Sequence, residues 1–313
     1  MRVVVTGAAG FLGSHLCSAL LDRGDEVVGY DNMLTGQHAN VDRLRVHPRF
    51  SFVEQDVARP LAVDGLLDGV LHLASPASPE DFDRIPIEIL KVNGLGTHNC
   101  LGLAKAKRCR FVLASTSEVY GDPLVHPQPE TYWGNVNPLG ERGCYDEAKR
   151  FAEAMALAYH RQHGVDVGIV RTFNTSGPWF RPADGRVLST FITQALRGDP
   201  ITVQGDGSQT RSICYVDDQV RGYVAMLDHP GVVGPVNIGT TDEVTILRLA
   251  ELVREMVGSD SPIVHVPARA DDPKQRCPDL TRAGQLLGWK PEIPLEDGVR
   301  RTIAWFRDQM AQR

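Results

Sequence analysis

Short runs of β-branched residues alternate with longer segments of helical periodicity through the first half of this chain. The apolar runs predict six strands, at residues 2–6, 26–30, 51–54, 69–73, 110–114 and 167–171. Two long helices are predicted between the later strands, at residues 87–107 and 145–163. Strands that alternate with helices in this way are typical of stacked βαβ units, so the pattern predicts an α/β fold built on a doubly wound parallel sheet.

The pattern changes after residue 171, where glycine, proline and shorter apolar runs become frequent. Helices are predicted at residues 245–257, 279–287 and 295–310, with proline-containing loops between them. We expect a first domain of residues 1–171, to which residues 216–239 return, and a smaller substrate-binding lobe made of residues 172–215 and 240–313. A length of 313 residues agrees with two such units, since domains commonly contain about 150 residues.

Composition narrows the classes of protein that fit this pattern. The chain has 33 Lys and Arg against 39 Asp and Glu, a net charge of −6, and no run of basic residues, which argues against nucleic acid as a partner. No stretch approaches the roughly 18 apolar residues of a membrane helix, and the first residues resemble a strand, so we expect no membrane partner and a cytoplasmic location. The six cysteines are scattered without C-x-x-C pairs, which predicts neither a metal site nor a disulfide framework.

A glycine-rich loop joins the first strand to the helix predicted after it. Residues 6–13 read T-G-A-A-G-F-L-G, and glycines at this place let the backbone approach a pyrophosphate at the helix N-terminus. The spacing G-x-x-G-x-x-G is less common than G-x-G-x-x-G, and a tight strand-to-helix turn is the alternative interpretation. We predict a Rossmann-type dinucleotide loop in which the cofactor contacts Gly7, Gly10, Phe11, Leu12 and Gly13.

Residues at the ends of the next strands extend this predicted cofactor site. Asp31 ends the second strand, where a carboxylate accepts hydrogen bonds from an adenosine ribose and repels a 2′-phosphate, which favours NAD over NADP. Asn32 beside it adds no positive charge that would offset this preference. Asp56 and Val57 follow the third strand and are predicted to bind the adenine, with an ordinary loop acid as the alternative. The set is completed by two residues at the end of the fourth strand, Leu73 and Ala74.

Tyr145 and Lys149 lie four residues apart at the start of the second long helix, so both side chains lie on one face of it. A neighbouring ammonium lowers the pKa of a phenol, which predicts a phenolate base near neutral pH. Residues 115–121 read S-T-S-E-V-Y-G directly after the fifth strand, at the edge where open α/β sheets bind ligands. We predict that hydroxyl groups and a carboxylate of this segment bind and protonate a substrate; a polar loop that caps strand ends is the alternative.

Together these motifs resemble those of the extended short-chain dehydrogenase/reductase family that acts on nucleotide sugars, and within it the chain looks like the UDP-glucuronate decarboxylases. The likeness covers nearly the whole chain. It rests on H-L-A-S-P-A-S-P at 72–79, S-T-S-E-V-Y-G-D-P at 115–123, Y-W-G-N-V-N-P at 132–138, C-Y-D-E-A-K-R at 144–150, D-G-R-V at 184–187, G-D-G-S-Q-T-R at 205–211 and D-D-P at 271–273. The long block at 115–123 is specific, whereas the glycine loop and the Tyr-Lys pair belong to the wider family.

The resemblance implies NAD-dependent conversion of UDP-glucuronate to UDP-xylose. Oxidation at carbon 4 makes a ketone β to the carboxylate, carbon dioxide is lost, and the 4-keto sugar is re-reduced, so that NAD is a catalytic cofactor. It implies that Tyr145 takes the proton of the carbon 4 hydroxyl, that Lys149 lowers the phenol pKa and holds the nicotinamide ribose, and that Thr116 hydrogen-bonds near carbon 4. Ser117 and Glu118 are then expected to position the carboxylate-bearing carbon and manage its protonation.

The same likeness implies a set of substrate-binding residues: Asn174, Arg186, Gln209, Arg211 and Arg276. Of these, Arg276 is expected to bind the carboxylate of the sugar, and Asn174, Arg186 and Arg211 fall in segments that bind the diphosphate. The chain departs from the family at residues 179–180, where Trp-Phe stands in place of the usual Arg-Met. A homodimer is also implied, in which the two long helices pair with those of a second copy as a four-helix bundle.

Three other functions fit part of the pattern. A UDP-hexose 4-epimerase or a nucleotide-sugar 4,6-dehydratase shares the glycine loop and the Tyr-Lys pair, and product analysis separates both from a decarboxylase. The dehydratases have Asp-Glu where Ser117 and Glu118 stand, so an acid that expels a hydroxyl is missing here. The third is a non-catalytic NAD-binding regulator on the same fold, against which the intact pair of Tyr145 and Lys149 argues.

Overall fold

The structure is a computed structural model, and it describes residues 1–181, 184–268 and 271–311. Within these residues the strands β1 to β13 are Arg2–Thr6, Glu26–Asp31, Phe50–Glu54, Gly69–His72, Arg110–Thr116, Val167–Thr172, Thr175–Ser176, Ile201–Gln204, Thr210–Ser212, Cys214–Tyr215, Gly234–Ile238, Glu243–Thr245 and Ile263–Val266. The helices α1 to α11 are Phe11–Arg23, His38–Arg45, Pro79–Arg84, Pro86–Lys91, Thr97–Lys107, Gly143–His163, Val187–Arg197, Val216–Asp228, Ile246–Val257, Thr281–Leu287 and Leu295–Ala311. A π-helical turn, Val92–Gly96, joins α4 to α5, and a 3-10 turn, Ser117–Tyr120, follows β5.

Seven strands form one central sheet in the order β3-β2-β1-β4-β5-β6-β11, and every neighbouring pair is parallel. The six predicted strands are all present, with bounds that differ by at most two residues from those expected. The strand order reverses between β1 and β4, which is where the carboxyl ends of a doubly wound sheet leave a crevice for a ligand. The predicted Rossmann-type α/β fold is therefore confirmed.

Alternation along the central strands explains the helical layers on the two faces of the sheet. Val3 and Val5 of β1 pack in one buried cluster with α1 and α8, whereas Val4 between them packs in another with α5 and α6. Successive side chains of a strand point to opposite faces, so a strand buried on both faces needs an uninterrupted apolar run. That requirement is why β1, β4 and β5 read as continuous hydrophobic segments.

A separate apolar cluster lies at the carboxyl side of the sheet, around α7, α9 and α11. Phe191, Leu249, Val253 and Ile303 are among its buried members. The short strands nearby form two-stranded sheets, β7 with β10, β8 with β13 and β9 with β12. The strand β11 comes from the segment expected to return to the first domain, and it pairs with β6 at the sheet edge; the division of the chain into two domains stays a prediction.

The predicted continuous helix at residues 87–107 is wrong in one detail, because the π-helical turn interrupts it. Glycines make this segment a weak α-helix former, and a Cβ on Gly96 would lie 2.9 Å from the Val57 side chain. The turn directs Asn93 inward, where its Nδ2 donates to Ser75 Oγ and to the Ile89 carbonyl oxygen, both at 2.9 Å. None of the helices in the described part of the chain is long and apolar enough to cross a membrane.

Candidate active site

A cavity of about 270 Å³ lies at the carboxyl ends of β1, β4, β5 and β6. The glycine loop forms one end of its wall, the end of β5 and the start of α6 form the middle, and α7 with the C-terminal part of α11 forms the far side. The cavity thus spans the crevice of the sheet and the apolar cluster beyond it. This position is the one in which open α/β sheets bind their ligands.

The glycine loop fits the pyrophosphate of a dinucleotide. Gly7 has φ of +73°, and a Cβ there would lie 2.8 Å from the Ala74 nitrogen; a Cβ on Gly13 would overlap the carbonyl oxygen of Gly7. The backbone therefore passes closer to its neighbours than any side chain allows. The helix α1 starts at Phe11 without an acidic residue in its first turn, so its first N–H groups are left for an anion. Five of the predicted cofactor residues line the cavity here: Gly7, Gly10, Phe11, Leu12 and Gly13.

Asp31 lies beside this loop at the end of β2. Its Oδ2 accepts the N–H of Ala9 at 3.0 Å, its Oδ1 accepts the N–H of Met33 at 2.9 Å, and burial raises its pKa. The backbone hydrogen bonds fix the carboxylate at the edge of the glycine loop, where the ribose of a bound dinucleotide is expected. Leu73 lines the cavity, whereas the remaining predicted cofactor residues lie outside its wall: Asp31, Asn32, Asp56, Val57 and Ala74.

Three residues meet at the middle of the cavity, from the end of β5 and the first turns of α6. Lys149 Nζ donates to the carbonyl oxygen of Ala114 at 2.9 Å and lies 5.8 Å from the ring centroid of Tyr145. The Thr116 side chain lies beside the Tyr145 hydroxyl and lowers the phenol pKa, although burial outweighs this effect. The predicted grouping of Tyr145, Lys149 and Thr116 is thus present in the structure, because the strand end and the helix face bring them together.

The predicted low phenol pKa is wrong for this arrangement. Burial raises the pKa of Tyr145, with a further increase from the nearby Glu118 carboxylate. Burial also lowers the pKa of Lys149 to about 7. The helical spacing predicted the neighbours correctly, but the ammonium is bonded to a backbone carbonyl and is itself poorly solvated, so it does not hold the phenol in its ionised form.

Glu118 lies between two arginines at the edge of the cavity. Arg276 donates from Nη1 to Oε1 at 2.5 Å and from Nη2 to Oε2 at 2.8 Å, and Arg142 donates from Nη2 to Oε2 at 2.5 Å. Burial alone raises the pKa of Glu118, but the two positive charges outweigh it and hold the pKa far below its usual range. Glu118 is therefore a stable carboxylate in this arrangement.

The sequence predicts that Arg276 binds the carboxylate of the sugar, which stays a prediction, and it gives no such role to Arg142. In the structure Arg276 is bonded to Glu118 and lies outside the cavity wall, whereas Arg142 lines the cavity. One signal for Arg142 is present in the sequence: it directly precedes α6, and a positive charge at a helix N-terminus is unfavourable unless another group offsets it. Glu118 supplies that offset across 24 residues of sequence.

The other predicted substrate residues divide between the cavity and its surroundings. Asn174 lines the cavity, and its Oδ1 is buried without a partner among the described residues, as a group that awaits a ligand would be. Arg186 also lines it and pairs with Asp184 at 3.0 Å. Two lie outside the wall: Gln209 donates to the Gln204 carbonyl oxygen at 2.9 Å, and Arg211 pairs with Asp272 at 2.7 Å.

The Trp-Phe pair at residues 179–180 contributes an aromatic part of the wall. Phe180 lines the cavity and packs on Phe11 of the glycine loop, with ring centroids 4.3 Å apart. Trp179 has φ of +65°, its carbonyl oxygen accepts from Gln37 Nε2 at 3.1 Å, and the Arg43 guanidinium lies 4.8 Å from its ring centroid. These contacts tie the substrate side of the cavity to the cofactor loop.

One group of side chains has the composition of a metal site. The ligand atoms of His126, Glu243 and Cys277 lie within 4.8 Å of one another. His126 Nε2 is already hydrogen-bonded to Glu243 at 3.1 Å, and Gln128 Nε2 lies 3.4 Å from His126 Nδ1, which makes Nδ1 the acceptor and Nε2 the donor. This arrangement holds the donor nitrogen toward the carboxylate. That the protein binds no metal stays a prediction.

Comparison with known proteins identifies relatives of the whole chain. Residues 3–239 match the model of the NAD dependent epimerase/dehydratase family. UDP-glucuronic acid decarboxylase 1 of Arabidopsis thaliana is 50% identical over 310 residues, which cover 99% of this chain and 71% of that protein. UDP-glucuronic acid decarboxylase 1 of Xenopus tropicalis is 49% identical over 309 residues, which cover 99% of this chain and 73% of the relative.

Solved structures share the fold over the same length. The dTDP-glucose 4,6-dehydratase of Streptomyces venezuelae, solved with NAD bound, superimposes with a TM-score of 0.91 at 29% identity, covering 100% of this chain and 98% of the other. The UDP-glucuronic acid 4-epimerase of Bacillus cereus, solved with UDP-glucuronic acid and NAD, has a TM-score of 0.88 at 30% identity and covers 99% and 100%. Related structures thus include enzymes with two different named reactions on nucleotide sugars.

Proposed function

Because this chain belongs to the NAD dependent epimerase/dehydratase family, and within it to the UDP-glucuronic acid decarboxylases, we propose that it converts UDP-glucuronate to UDP-xylose with NAD as a catalytic cofactor. The glycine loop would hold the pyrophosphate of NAD, because its backbone has no side chains in the way. The Asp31 carboxylate, fixed beside this loop, would bind the ribose. When bound there, NAD would supply the chemistry of a reversible hydride acceptor for the oxidation at carbon 4 and the later reduction.

The chain's own residues handle protons and orientation. Tyr145 accepts the proton of the carbon 4 hydroxyl, and Thr116, beside the phenol oxygen, hydrogen-bonds near carbon 4. To accept that proton the Tyr145 phenol must itself be ionised, and burial opposes its ionisation. Lys149, on the same helix face, is the cation that would offset the charge of the phenolate as it forms. Ser117 and Glu118 position the carboxylate-bearing carbon, and Asn174 and Arg186 bind the diphosphate from the opposite wall.

One observation carries this proposal: Tyr145, Thr116 and Glu118 line one cavity together with the glycine loop. NAD held by the glycine loop, the Tyr145 hydroxyl and the Arg142 guanidinium, which also lines this cavity, would therefore face a single bound sugar. Oxidation beside a carboxylate is what decarboxylation requires, because a ketone β to the carboxylate takes up the electrons that carbon dioxide leaves behind.

The test is product identification. The purified protein is incubated with NAD and UDP-glucuronate, and the sugar products are assigned by nuclear magnetic resonance. We expect UDP-xylose and carbon dioxide. UDP-galacturonate would identify an epimerase, formation of a 4-keto-6-deoxy sugar from a UDP-hexose would identify a dehydratase, and NAD binding without any turnover would identify a regulator.

A homodimer through α4, α5 and α6 belongs to the same proposal. Ile87, Leu90, Leu95 and Phe151 are exposed on these helices and surround one apolar groove. Burying such a patch against a second copy removes apolar surface from water, which favours association. Sedimentation should show a dimer for the wild type and a monomer for Phe151→Glu. The control Leu139→Glu, at an exposed leucine outside the groove, should stay dimeric; an unchanged dimer in both contradicts this interface. A cytoplasmic location stays a prediction.

A further inference from the structure

The two arginines that hold Glu118 differ in where they lie. Arg276 uses both Nη atoms on the two carboxylate oxygens, and its side chain is 4% exposed, behind the carboxylate and outside the cavity wall. Arg142 uses only Nη2, on Oε2, and its side chain is 13% exposed on the cavity wall. To reach a sugar in the cavity, Arg276 would have to break two short charged hydrogen bonds, whereas Arg142 already faces it.

Arg142 also lies beside the reaction centre. Its guanidinium is 5.5 Å from the ring centroid of Phe82, and Phe82 stacks on Tyr145 with centroids 5.1 Å apart and an interplanar angle of 19°. Nε of Arg142 is buried and has no hydrogen-bond partner in the described parts of the chain. Nε of Arg276 is buried and unpartnered as well, so the difference lies at the Nη atoms. Only Nη2 of Arg142 is bonded to a described residue, so its Nη1 is left for a ligand that enters next to the tyrosine.

The charges around Glu118 leave room for one more anion. One carboxylate faces two guanidinium groups, and Asp272 is already paired with Arg211. Asp146 is nearby, but burial and the repulsion of Glu118 raise its pKa well above the usual range, so it is largely neutral at pH 7. Among residues 1–181, 184–268 and 271–311, Glu118 is the only carboxylate within ion-pair distance of Arg142 or Arg276, so two guanidinium groups share one counterion. A second carboxylate would neutralise the remaining positive charge.

We propose that Arg142 binds the carboxylate of the hexuronate and so selects UDP-glucuronate over UDP-hexoses. Arg276 remains the counterion of Glu118. The inference rests on the proposed function for the identity of the substrate. It assigns to Arg142 the selectivity that the sequence attributed to Arg276, because only Arg142 combines a position on the cavity wall with spare donors. A hexose, which has no carboxylate, leaves that charge unpaired and should bind less tightly than the hexuronate.

Calorimetric titration with UDP-glucuronate and with UDP-glucose tests the assignment. Every protein compared, including the one with Arg142 unchanged, is loaded with NAD and carries Tyr145→Phe, so that the ligand is bound but not consumed. Arg142→Gln should lower the affinity for UDP-glucuronate by about 10- to 100-fold, the range of a charge-assisted hydrogen bond, and change that for UDP-glucose by less than about 3-fold. Arg142→Lys keeps the charge and should retain most of the preference. The matched control is Arg150→Gln: Arg150 is on the same helix and donates to the Val119 carbonyl oxygen but does not contact Glu118, so both affinities should stay at wild-type values.

Four results would overturn the inference. The first is a wild type that binds UDP-glucuronate and UDP-glucose equally, and the second is an Arg142→Gln protein that loses affinity for both ligands alike. The third is an Arg142→Gln protein whose kcat falls while its affinity for UDP-glucuronate is unchanged. The fourth is an Arg276→Gln protein that loses the preference for UDP-glucuronate while Arg142→Gln keeps it. Failure of the proposed function is a separate outcome: the wild type would then prefer UDP-glucuronate in the titration yet form no UDP-xylose.

Discussion

Replacing Lys149 with Met should make the protein more stable while it abolishes turnover. The Lys149 ammonium is buried at the bottom of the cavity, and burial lowers its pKa from 10.5 to about 7. In the unfolded chain the same group stays protonated up to about pH 10.5. The folded state therefore carries a charged group that water would solvate better, and an apolar side chain of similar length removes that unfavourable term.

The size of the effect follows from the difference between the two pKa values. Each pKa unit corresponds to about 1.36 kcal/mol, so the folded state is destabilised by about 5 kcal/mol at pH 6, where the ammonium is charged in both states. Above pH 7 the folded protein releases the proton and the unfolded chain still binds it, so stability rises with pH. At pH 8.5 the remaining cost is about 3 kcal/mol. The substitution also loses the hydrogen bond to Ala114, which offsets about 1.5 to 3 kcal/mol of the gain.

The assay is urea unfolding of the wild type and Lys149→Met between pH 6 and pH 8.5, with no cofactor added. We expect the variant to be more stable by about 2 to 3.5 kcal/mol at pH 6, and this difference to be smaller by about 2 kcal/mol at pH 8.5. Other groups with altered pKa values, such as Asp146, occur in both proteins and cancel in the difference. Lys107→Met is the control, since Lys107 donates to the Gly65 carbonyl oxygen at the surface, and its difference from wild type should not depend on pH.

The decisive observation is how the stability difference between Lys149→Met and the wild type changes with pH, because the lost hydrogen bond does not determine that change. A difference between the two proteins that is constant from pH 6 to pH 8.5, or that grows with pH, would refute the claim that a buried Lys149 ammonium destabilises the fold. A variant that is less stable than wild type at pH 6 would show that the bond to Ala114 outweighs desolvation.

Three further predictions concern the reaction. Tyr145→Phe should lower kcat by about 10²- to 10⁴-fold and leave NAD binding within a few-fold, since only the proton acceptor is lost; turnover near wild type would remove Tyr145 from the mechanism. The wild type should bind NAD more tightly than NADP in a fluorescence titration and Asp31→Asn should narrow that preference, whereas equal wild-type affinities would contradict the assignment of Asp31. Absorbance of reduced nicotinamide should not rise during wild-type turnover. Glu118→Gln should slow the steps after oxidation and accumulate reduced cofactor or 4-keto sugar. The reason is loss of the negative charge that fixes Arg142 and Arg276 beside the substrate, since the ionised Glu118 has no proton to donate. A Glu118→Gln protein without such accumulation would argue against this positioning role.

Local sequence was enough for the parts of the site that lie on one element. The glycine spacing at residues 7, 10 and 13 and the four-residue spacing of Tyr145 and Lys149 depend on the geometry of a single turn or helix face. The end of β5 was equally readable, because parallel strands bring their carboxyl ends to one edge of the sheet. These features follow from short-range periodicity, which is visible in the order of the residues.

Long-range contacts were not readable in the same way. The charge state of Glu118 depends on Arg142, 24 residues away, and on Arg276, 158 residues away. Nothing in the spacing of these residues shows that both arginines would converge on one carboxylate. The ion pair of Arg276 with Glu118 was not predicted for this reason, and neither was the contact of Arg142, which directly precedes a predicted helix.

The sequence by itself determined the parallel sheet, the dinucleotide loop and the pairing of Tyr145 with Lys149, because each depends on backbone periodicity or on the steric freedom of glycine. Only the tertiary structure decided how those groups ionise and which of them face a ligand. Burial raises the pKa of Tyr145 and lowers that of Lys149. For the phenol this is the opposite of what a neighbouring ammonium would do in water, where it lowers the phenol pKa. The physical reason is that the pKa of a buried group depends on its desolvation and on nearby charges. Both are set by the side chains packed around it, which come from segments far apart in the chain.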